Sequence, residues 1–216
     1  MGNEQLHQRC VSHLRMLCEE IRDRSVGSEG NRRATKFFEQ ELRSLGWQTE
    51  ASKLNVVDWE DRGATLRIGF QSFSVRPSPY SLGCAYVAEL ASASSIDELE
   101  QQELTGKIVL LHGDIAKEQL MPKNFVFYNP DEHRRIIALL EQKQPAAIVS
   151  ATGRNAALVG GVYPFPLIED GDFDIPSVYT TDEEGVRLLA FVGQRAELRT
   201  TSTSLTVGRS SRSQRP

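Results

Sequence analysis

One pair of potential metal ligands lies close together in the sequence, His112 and Asp114, separated by a single glycine after an apolar run. Both residue types bind zinc, but a catalytic zinc needs three converging protein ligands, and a two-zinc site also needs a bridging carboxylate. The other histidines, His7, His13 and His133, show no arrangement that would complete such a site. The first two are six residues apart on a predicted helix and point in different directions, so we expect them to be solvated. We therefore expect a turn at a strand end around His112, and we assign no catalytic residue and no metal ligand.

Carboxylates at alternate positions form a second stretch that could bind a cation, at Asp170, Asp172 and Asp174. An EF-hand loop that starts at Asp170 requires glycine at its sixth position and a bidentate glutamate at its twelfth. Those positions hold Ile175 and Thr181, so the calcium pattern fails. A solvated acidic loop before a strand is the better interpretation.

Other enzyme and nucleic-acid signatures are absent from the sequence. It has no Gly-x-Ser-x-Gly motif for a serine hydrolase, and the glycine of Thr105–Lys107 lacks the upstream partner of a phosphate-binding loop. Lys123, Arg134 and Arg135 are not interleaved with aromatic residues as in a nucleic-acid groove. The formal net charge of −4 gives no general attraction for nucleic acid or anionic lipid. We expect neither nucleic acid nor a membrane as a partner.

Length and composition are those of a protein with a well-solvated surface. The 216 residues allow one large or two small domains, with 39% hydrophobic and 25% charged residues. The start of the chain has no apolar stretch of signal-peptide length. The three cysteines, Cys10, Cys18 and Cys84, are odd in number and occupy positions that favour a core location. They predict reduced thiols and a cytoplasmic protein.

The clearest structural pattern is a strand–helix–strand module between residues 106 and 150. In residues 107–111, the four residues after Lys107 form a continuous apolar run, typical of a strand covered on both faces. Asn129 is a suitable N-cap and Pro130 suits the first helical position. Pro145 ends the helix, and residues 146–150 form a second buried strand that a right-handed crossover sets parallel to the first.

The N-terminal residues predict two amphipathic helices. Apolar side chains recur every three or four positions between Leu6 and Ile21, which is the period of a helix. Ser28 is a good N-cap for a second helix, Gly46 is a fitting end, and residues 47–50 predict the start of a strand. The apolar stripe of the second helix consists of Phe37, Phe38, Leu42 and Leu45.

The remaining elements have weaker signals. Strands are predicted at residues 64–70, 85–90 and 175–179, with Pro77 and Pro79 marking a loop or a sheet edge. Ser95 opens a short helix that ends near residue 104. A helix capped by Thr181 is predicted to carry Val186, Leu189 and Val192 on its apolar face and to end at Gly193. Residues 196–207 predict a closing strand, and residues 208–216 a disordered tail.

Several of these segments, in this order, resemble the protease-associated domain. They are residues 104–111, 145–149, 175–179 and 185–189. The segment from Arg24 to Glu50 resembles the opening of the zinc-dependent aminopeptidases, the two-zinc family that includes bacterial leucyl aminopeptidases and glutamate carboxypeptidase. In that family these helices belong to the catalytic domain, and a protease-associated domain is inserted soon after.

The resemblance implies an α/β fold, with an N-terminal helical pair followed by a protease-associated domain of mixed strands and flanking helices. The implied boundaries are residues 1–50 for the helical segment, 51–207 for the protease-associated domain and 208–216 for the tail. The family's metal-binding motifs follow the inserted domain, and this sequence ends at Pro216 before any of them. The chain is then a truncated product, an expressed fragment or the result of a frameshift.

The function implied is that of the non-catalytic portion of a zinc aminopeptidase, inactive alone. Zinc, the peptide substrate and the missing catalytic domain as partner belong to the intact enzyme. An independent protein- or peptide-interaction module is the alternative, and an enzyme with a cryptic site is a third.

One loop has a possible role towards substrate in such an enzyme. The inserted domain of related enzymes leans over the active-site cleft, and residues 153–174 form a long segment without periodicity. Our hypothesis is that Asp170 and Asp172 attract the positively charged N-terminus of a peptide, while Tyr163 and Phe165 supply apolar contacts.

Overall fold

A computed structural model describes residues 3–52, 57–123, 125–152, 173–201 and 203–206. The chain divides into two compact units, one of residues 1–59 with 205–216 and the other of residues 60–204. The helices lie at Asn3–Arg15 (α1), Glu29–Ser44 (α2), Ile96–Gln101 (α3), Asp131–Lys143 (α4) and Asp182–Leu189 (α5). The strands are Val57–Glu60 (β1), Ala64–Ile68 (β2), Gln71–Phe73 (β3), Arg76–Pro77 (β4), Cys84–Ala93 (β5), Ile108–Leu111 (β6), Ala147–Thr152 (β7), Ser177–Thr181 (β8), Arg195–Thr200 (β9) and Thr203–Thr206 (β10).

Helix α2 begins and ends where its sequence predicts. The Ser28 hydroxyl accepts a hydrogen bond from the Asn31 N–H at 3.0 Å, which satisfies one of the free donors of the first turn. At the other end Gly46 adopts φ +84° and donates to the Arg43 carbonyl, while Trp47 donates to the Leu42 carbonyl. These two bonds form a Schellman motif, which glycine favours because it has no Cβ.

The strand predicted at residues 47–50 is wrong. The backbone is irregular there, and Trp47 is 66% exposed. A strand needs a neighbour for its backbone hydrogen bonds, and no described strand pairs with these residues. β-Propensity alone therefore does not produce a strand at this position.

An eight-stranded mixed sheet forms the centre of the larger unit, in the order β3-β2-β9-β5-β6-β7-β8-β4. Strands β5, β6, β7 and β8 run parallel, and the other neighbours run antiparallel. The parallel pairing of β6 with β7, with α4 between them in sequence, confirms the predicted strand–helix–strand module. The short edge strand β4 ends at Pro77, which confirms the edge position predicted from the prolines. A separate two-stranded sheet consists of β1 and β10.

Strand β6 is buried on both faces, as its unbroken apolar run predicts. Val109 and Leu111 belong to the hydrophobic cluster on the side of α3 and α4. Ile108 and Leu110 belong to the cluster on the opposite side, which contains Leu188 of α5. All four strand residues are 0% exposed. Full burial of each such side chain contributes roughly 1.5–3 kcal/mol, so this strand anchors both halves of the core.

The predicted cap of α4 is wrong. Pro130 occupies the N-cap position and provides no side-chain hydrogen bond. The Asn129 amide instead donates to the carbonyls of Pro122 and Lys123, at 3.2 and 3.0 Å. Those two carbonyls belong to the loop before the helix, so a tertiary contact replaces the local capping bond that sequence spacing favours. The helix ends at Lys143, followed by Gln144 with φ +47° and then by the predicted stop, Pro145.

The predicted apolar face of α5 is also wrong. Thr181 caps the helix as expected, accepting from the Glu184 N–H at 3.2 Å. Val186, Leu189 and Val192, however, are 68%, 36% and 43% exposed. The side that packs on the sheet carries Gly185 and Leu188, because the helix lies so close to β7 that a glycine is needed at the contact.

The closing segment differs from the single strand predicted at residues 196–207. Two strands occur, and the first of them, β9, lies between β2 and β5. Its Ala196, Leu198 and Thr200 are all buried. An internal position needs only this one apolar face, because backbone hydrogen bonds to two neighbours stabilise the strand.

We predict that Gly185→Ala destabilises the larger unit. A Cβ at this position would lie 2.4 Å from the Ala151 Cβ, which is fixed to the backbone of β7. Such overpacking costs about 1–3 kcal/mol, against a gain of about 1 kcal/mol from replacing a helical glycine. The urea midpoint of the Gly185→Ala variant should therefore fall below that of the parent protein. Val186→Ala is the control and should leave the midpoint nearly unchanged. A Gly185→Ala protein as stable as the parent would contradict the close packing.

Candidate functional site

The carboxyl ends of the parallel strands are where open α/β sheets bind ligands. The connections that leave this edge begin at Ser94 after β5, at His112 after β6 and at residue 153 after β7. The four candidate substrate-facing residues, Tyr163, Phe165, Asp170 and Asp172, lie outside the described residues.

His112 and Asp114 lie in a turn at the end of β6, which confirms the predicted strand-end turn. The His112 N–H donates to the Ala93 carbonyl at 3.1 Å, so the backbone continues the pairing of β5 with β6. Gly113 then adopts φ +63° beside Ser94 and begins a short 3₁₀ helix at Gly113–Ala116. Asp114 is exposed and His112 is partly buried.

The residues that the structure describes do not fit a zinc site. Within this part of the chain, no three histidine, cysteine, aspartate or glutamate side chains approach one another closely enough to hold a metal ion. His112 is near the Glu98 carboxylate, but among the described residues no third metal-binding side chain lies close to this pair.

The Glu98 carboxylate at the same edge closes the loop between β5 and α3. Its Oε2 accepts hydrogen bonds from the Ser94 N–H at 2.8 Å and from the Ser94 hydroxyl at 2.9 Å. The Ser95 hydroxyl in turn accepts from the Glu98 N–H at 3.2 Å, which confirms the predicted cap of α3. The two hydrogen bonds from Ser94, together with the nearby His112, lower the pKa of Glu98 below its usual value. A carboxylate held in its ionised form in this way stabilises a turn and is a poor proton donor.

His133 is the one histidine of the described chain that is almost fully buried, at 5% exposure. Its Nδ1 accepts a hydrogen bond from the Met121 N–H at 3.1 Å, and its Nε2 lies 3.4 Å from the Glu118 Oε1. The ring therefore connects α4 to the loop that precedes it. Sequence spacing gave no sign of this contact, because both partners come from a loop without periodicity.

The loop between β6 and α4 displays an apolar surface that sequence reasoning missed. We call it the aromatic tip; it consists of Phe125, Val126, Phe127 and Tyr128. These side chains are 43%, 84%, 88% and 63% exposed. The Phe125 and Phe127 rings contact each other edge to face, with centroids 5.9 Å apart. The available signal was four consecutive apolar residues in a connection, which is unusual for a segment on the surface.

The helical unit contains an open apolar groove between α1 and α2, with a volume of about 450 Å³. We call it the helical groove. Its apolar lining consists of Leu6, Cys10, Leu17, Ala34, Phe37, Phe38, Leu42 and Leu45. Neither α1 nor α2 has a buried residue among those described, although both helices are amphipathic. Leu6, Phe38 and Leu45 remain 54%, 63% and 52% exposed.

Three polar side chains lie at the wall of the helical groove. The Glu41 carboxylate accepts a hydrogen bond from Arg9 Nη2 at 2.7 Å and lies 3.1 Å from His13 Nε2. Arg9 is the main cause of the lowered pKa of Glu41, and His13 adds to it. His13 is only partly solvated, with 35% of its side chain exposed, because its ring also contacts Phe37 edge to face at 5.4 Å. His7 is exposed, as expected.

The expected core location of the cysteines is wrong for two of them, and none of the three forms a disulfide. Cys10 and Cys18 are exposed rather than in a core, and all three cysteines are free. Cys84 is partly buried, and burial raises the pKa of its thiol. Its N–H donates to the Thr200 hydroxyl at 2.9 Å, which links β5 to β9.

None of the described helices is both long and apolar enough to cross a bilayer.

We predict that Ser94→Ala raises the pKa of Glu98 towards its usual value of 4.5. The variant loses the hydroxyl donor and keeps the backbone donor, so the shift should be partial. Because the pKa of Glu98 is lower in the folded state than in the unfolded chain, its carboxylate stabilises the fold at a pH above the unfolded pKa. This contribution is lost as the pH falls through the folded-state pKa. Carboxyl chemical shifts recorded by NMR during an acid titration measure the change.

Glu103 is the internal control for this titration. Its pKa is lowered by hydrogen bonds from the Thr105 hydroxyl and N–H, which the variant does not touch. Its titration should therefore stay the same. An unchanged Glu98 titration in Ser94→Ala would show that the loop closure described above is wrong.

Comparisons with known proteins identify the fold. No family model matches the chain, and no curated protein matches it. A peptidase M28 precursor from Shewanella amazonensis matches with a TM-score of 0.67 and 19% identity, over 94% of this chain and 50% of that one. An aminopeptidase from Aneurinibacillus sp. strain AM-1 matches with a TM-score of 0.57 and 18% identity, over 83% of this chain and 40% of that one. The zinc aminopeptidase BSAP from Bacillus subtilis matches with a TM-score of 0.55 and 17% identity, over 92% of this chain and 44% of that one.

At these identities the similarity shows a shared fold. This chain spans half or less of the length of each of these solved structures, at 50%, 40% and 44%. Its helices and its eight-stranded mixed sheet therefore have the fold of part of a peptidase structure.

Proposed function

We propose that this chain is the N-terminal helical segment and protease-associated domain of a zinc aminopeptidase, which releases N-terminal residues from peptides when intact. The observation that supports the proposal is the unequal coverage in the structural matches. Between 83% and 94% of this chain superposes on three peptidases, but only 40–50% of each peptidase has a counterpart here. We propose that the catalytic zinc site belongs to the other part of the enzyme.

The partner in this proposal is the catalytic domain of the peptidase, and the apolar faces of α1 and α2 support it. Helices of 13 and 16 residues are marginal in water unless tertiary packing covers their apolar faces. The described residues leave the helical groove open, so an additional apolar surface is needed to stabilise this unit. A catalytic domain that belongs to the same enzyme would supply it.

In this proposal the role of the chain is to hold and position other groups rather than to carry out chemistry. The carboxylates with lowered pKa values, such as Glu41 and Glu98, accept hydrogen bonds that stabilise helices and turns. Residues 163–172 would face the peptide substrate, and Asp170 and Asp172 would attract the positively charged N-terminus of the peptide. We also propose a cytoplasmic location, which the three free thiols support.

A stand-alone protein- or peptide-interaction module is the second candidate function. The aromatic tip favours it, because exposed contiguous aromatic residues are typical of protein-interaction sites. In this case the chain would function without a catalytic peptidase domain.

We predict that the purified chain, supplied with zinc, does not hydrolyse leucyl-p-nitroanilide above the rate of a buffer blank. The described residues gather no three metal ligands, so no zinc-bound water is expected to form in them. Joining the chain to a peptidase body encoded beside it should produce zinc-dependent release of leucine, and a chelator should abolish it. Stoichiometric zinc and turnover by the chain alone would overturn the proposal. If no peptidase body is encoded nearby, the interaction module becomes the better interpretation.

We predict further that Asp170→Asn with Asp172→Asn raises the Michaelis constant of such a joined enzyme for a dipeptide. Removing both charges weakens attraction for the ammonium group of the substrate, and the effect should shrink at high salt. Asp170→Glu with Asp172→Glu is the control, because it keeps both negative charges and should leave the Michaelis constant nearly unchanged. An unchanged Michaelis constant for the free dipeptide would remove these residues from the proposal.

A further inference from the structure

We propose that His133 makes the loop between β6 and α4 sensitive to pH, holding its base while the ring is neutral and releasing it when the ring is protonated. This inference goes beyond the proposed function, since it concerns a conformational change in this chain alone. His133 is only 5% exposed, and the atom that its ring binds belongs to the backbone of that loop.

The hydrogen bond between Met121 and His133 requires a neutral ring. A backbone N–H can only donate, so Nδ1 must be the acceptor of this bond, whose length is 3.1 Å. A neutral imidazole with its proton on Nε2 has a free lone pair on Nδ1, whereas the protonated ring has an N–H on both nitrogens. Protonation therefore places two donors opposite each other, and the bond to Met121 is lost.

The other side of the ring stabilises the protonated form. Nε2 lies 3.4 Å from the Glu118 Oε1, and it can donate to this carboxylate in both states of the ring. The positive charge of the protonated ring adds an electrostatic attraction to that contact. The Glu118 side chain is 45% exposed, so it has space to follow the ring. The two nitrogens therefore have opposite effects, because Met121 favours the neutral ring and Glu118 favours the protonated one.

Other charges of the elements around the ring are exposed, and several of them pair with one another. Ion pairs join Arg134 to Asp131 within α4, Lys123 of the loop to Glu141 of α4, and Arg135 of α4 to Glu100 of α3. The remaining exposed charges are Asp114, Lys117 and Glu132. His133 is also the third residue of α4, where the positive end of the helix disfavours a cation. That effect adds to the loss of the Met121 bond when the ring is protonated.

The segment that His133 holds is the base of the aromatic tip. Met121 precedes Pro122 and Lys123, whose carbonyls accept from the Asn129 amide at 3.2 and 3.0 Å. The Pro122 carbonyl also accepts from the Phe125 N–H at 3.0 Å. A displaced Met121 would therefore disturb the bonds that fix both ends of the tip. Imidazole changes its charge between about pH 5 and 8, so the change is expected in that range.

Hydrogen exchange of backbone amides, followed by NMR from about pH 8 to about pH 5, tests the proposal. The protection factors of the Met121 and Phe125 amides, corrected for the intrinsic exchange rate, should fall together as the pH is lowered. The fall should approach about tenfold per pH unit at the acidic end, because opening binds one proton. Constant protection of Met121 over this range would overturn the proposal.

Two amides of the same unit are internal references for this measurement. The Ile148 N–H donates to the Pro176 carbonyl in the sheet, and the Gln144 N–H donates to the Leu140 carbonyl at the end of α4. Both should keep their protection while Met121 loses it. An equal loss at the references would show general loosening of the unit and would also overturn the proposal.

Three single variants separate the titration of His133 from its packing. In His133→Asn the side-chain oxygen can still accept from Met121 but does not titrate, so the protection of Met121 should become independent of pH. Glu118→Gln removes the charge that stabilises the protonated ring, so the loss should move to lower pH. His112→Asn is the control, because it removes the other histidine of the larger unit, and its profile should equal that of the parent. A His133→Asn protein with the parent's pH dependence would contradict the proposed role.

Ring nitrogen shifts of the unmodified protein keep the test independent of variant folding. Long-range proton–nitrogen NMR correlations should show His133 at pH 8 with its proton on Nε2 and an unprotonated Nδ1. Both nitrogens should become protonated over the same pH range in which Met121 loses protection. A proton on Nδ1 at pH 8, or a ring that titrates without any change at the Met121 amide, would overturn the proposal.

Discussion

Burial of β6 on both faces is the constraint on which the larger unit depends. An unbroken apolar strand cannot face water, so the sheet needs cover on two sides. Helices α3 and α4 provide it on one side and α5 on the other. Because the covered strands run parallel, their connections leave at the same carboxyl edge. The loop that carries the aromatic tip leaves the sheet at this edge, between β6 and α4.

The apolar faces of the helical unit, in contrast, are not covered by the described residues. Its two helices have well-formed ends and a strong apolar stripe, but they bury none of their described residues. Local signals are therefore enough to shape a helix, while the free energy that would stabilise it must come from packing that the described residues do not provide.

The sequence predicted the turn after β6 at His112 well and the contacts of the loop between β6 and α4 poorly. A strand-end turn follows from an apolar run and a glycine, both of which are local. The contact of His133 with Met121 and the closing of the loop by Asn129 depend on residues that are up to 12 positions apart in a loop without periodicity. The run of apolar residues at Phe125–Tyr128 was visible in the sequence, but its exposure was not, because aromatic residues normally predict burial.

The sequence by itself determined the module of β6, α4 and β7, the end of α2 at Gly46 and the caps at Ser28, Ser95 and Thr181. Each of these depends on hydrogen bonds or apolar periodicity among residues close together in the chain, so the local sequence is enough to predict it. Only the tertiary structure decided that Asn129 does not cap α4, that β9 lies inside the sheet and that α5 packs through Gly185. These outcomes depend on which distant backbone comes close, and such proximity is set by the packing of the whole sheet.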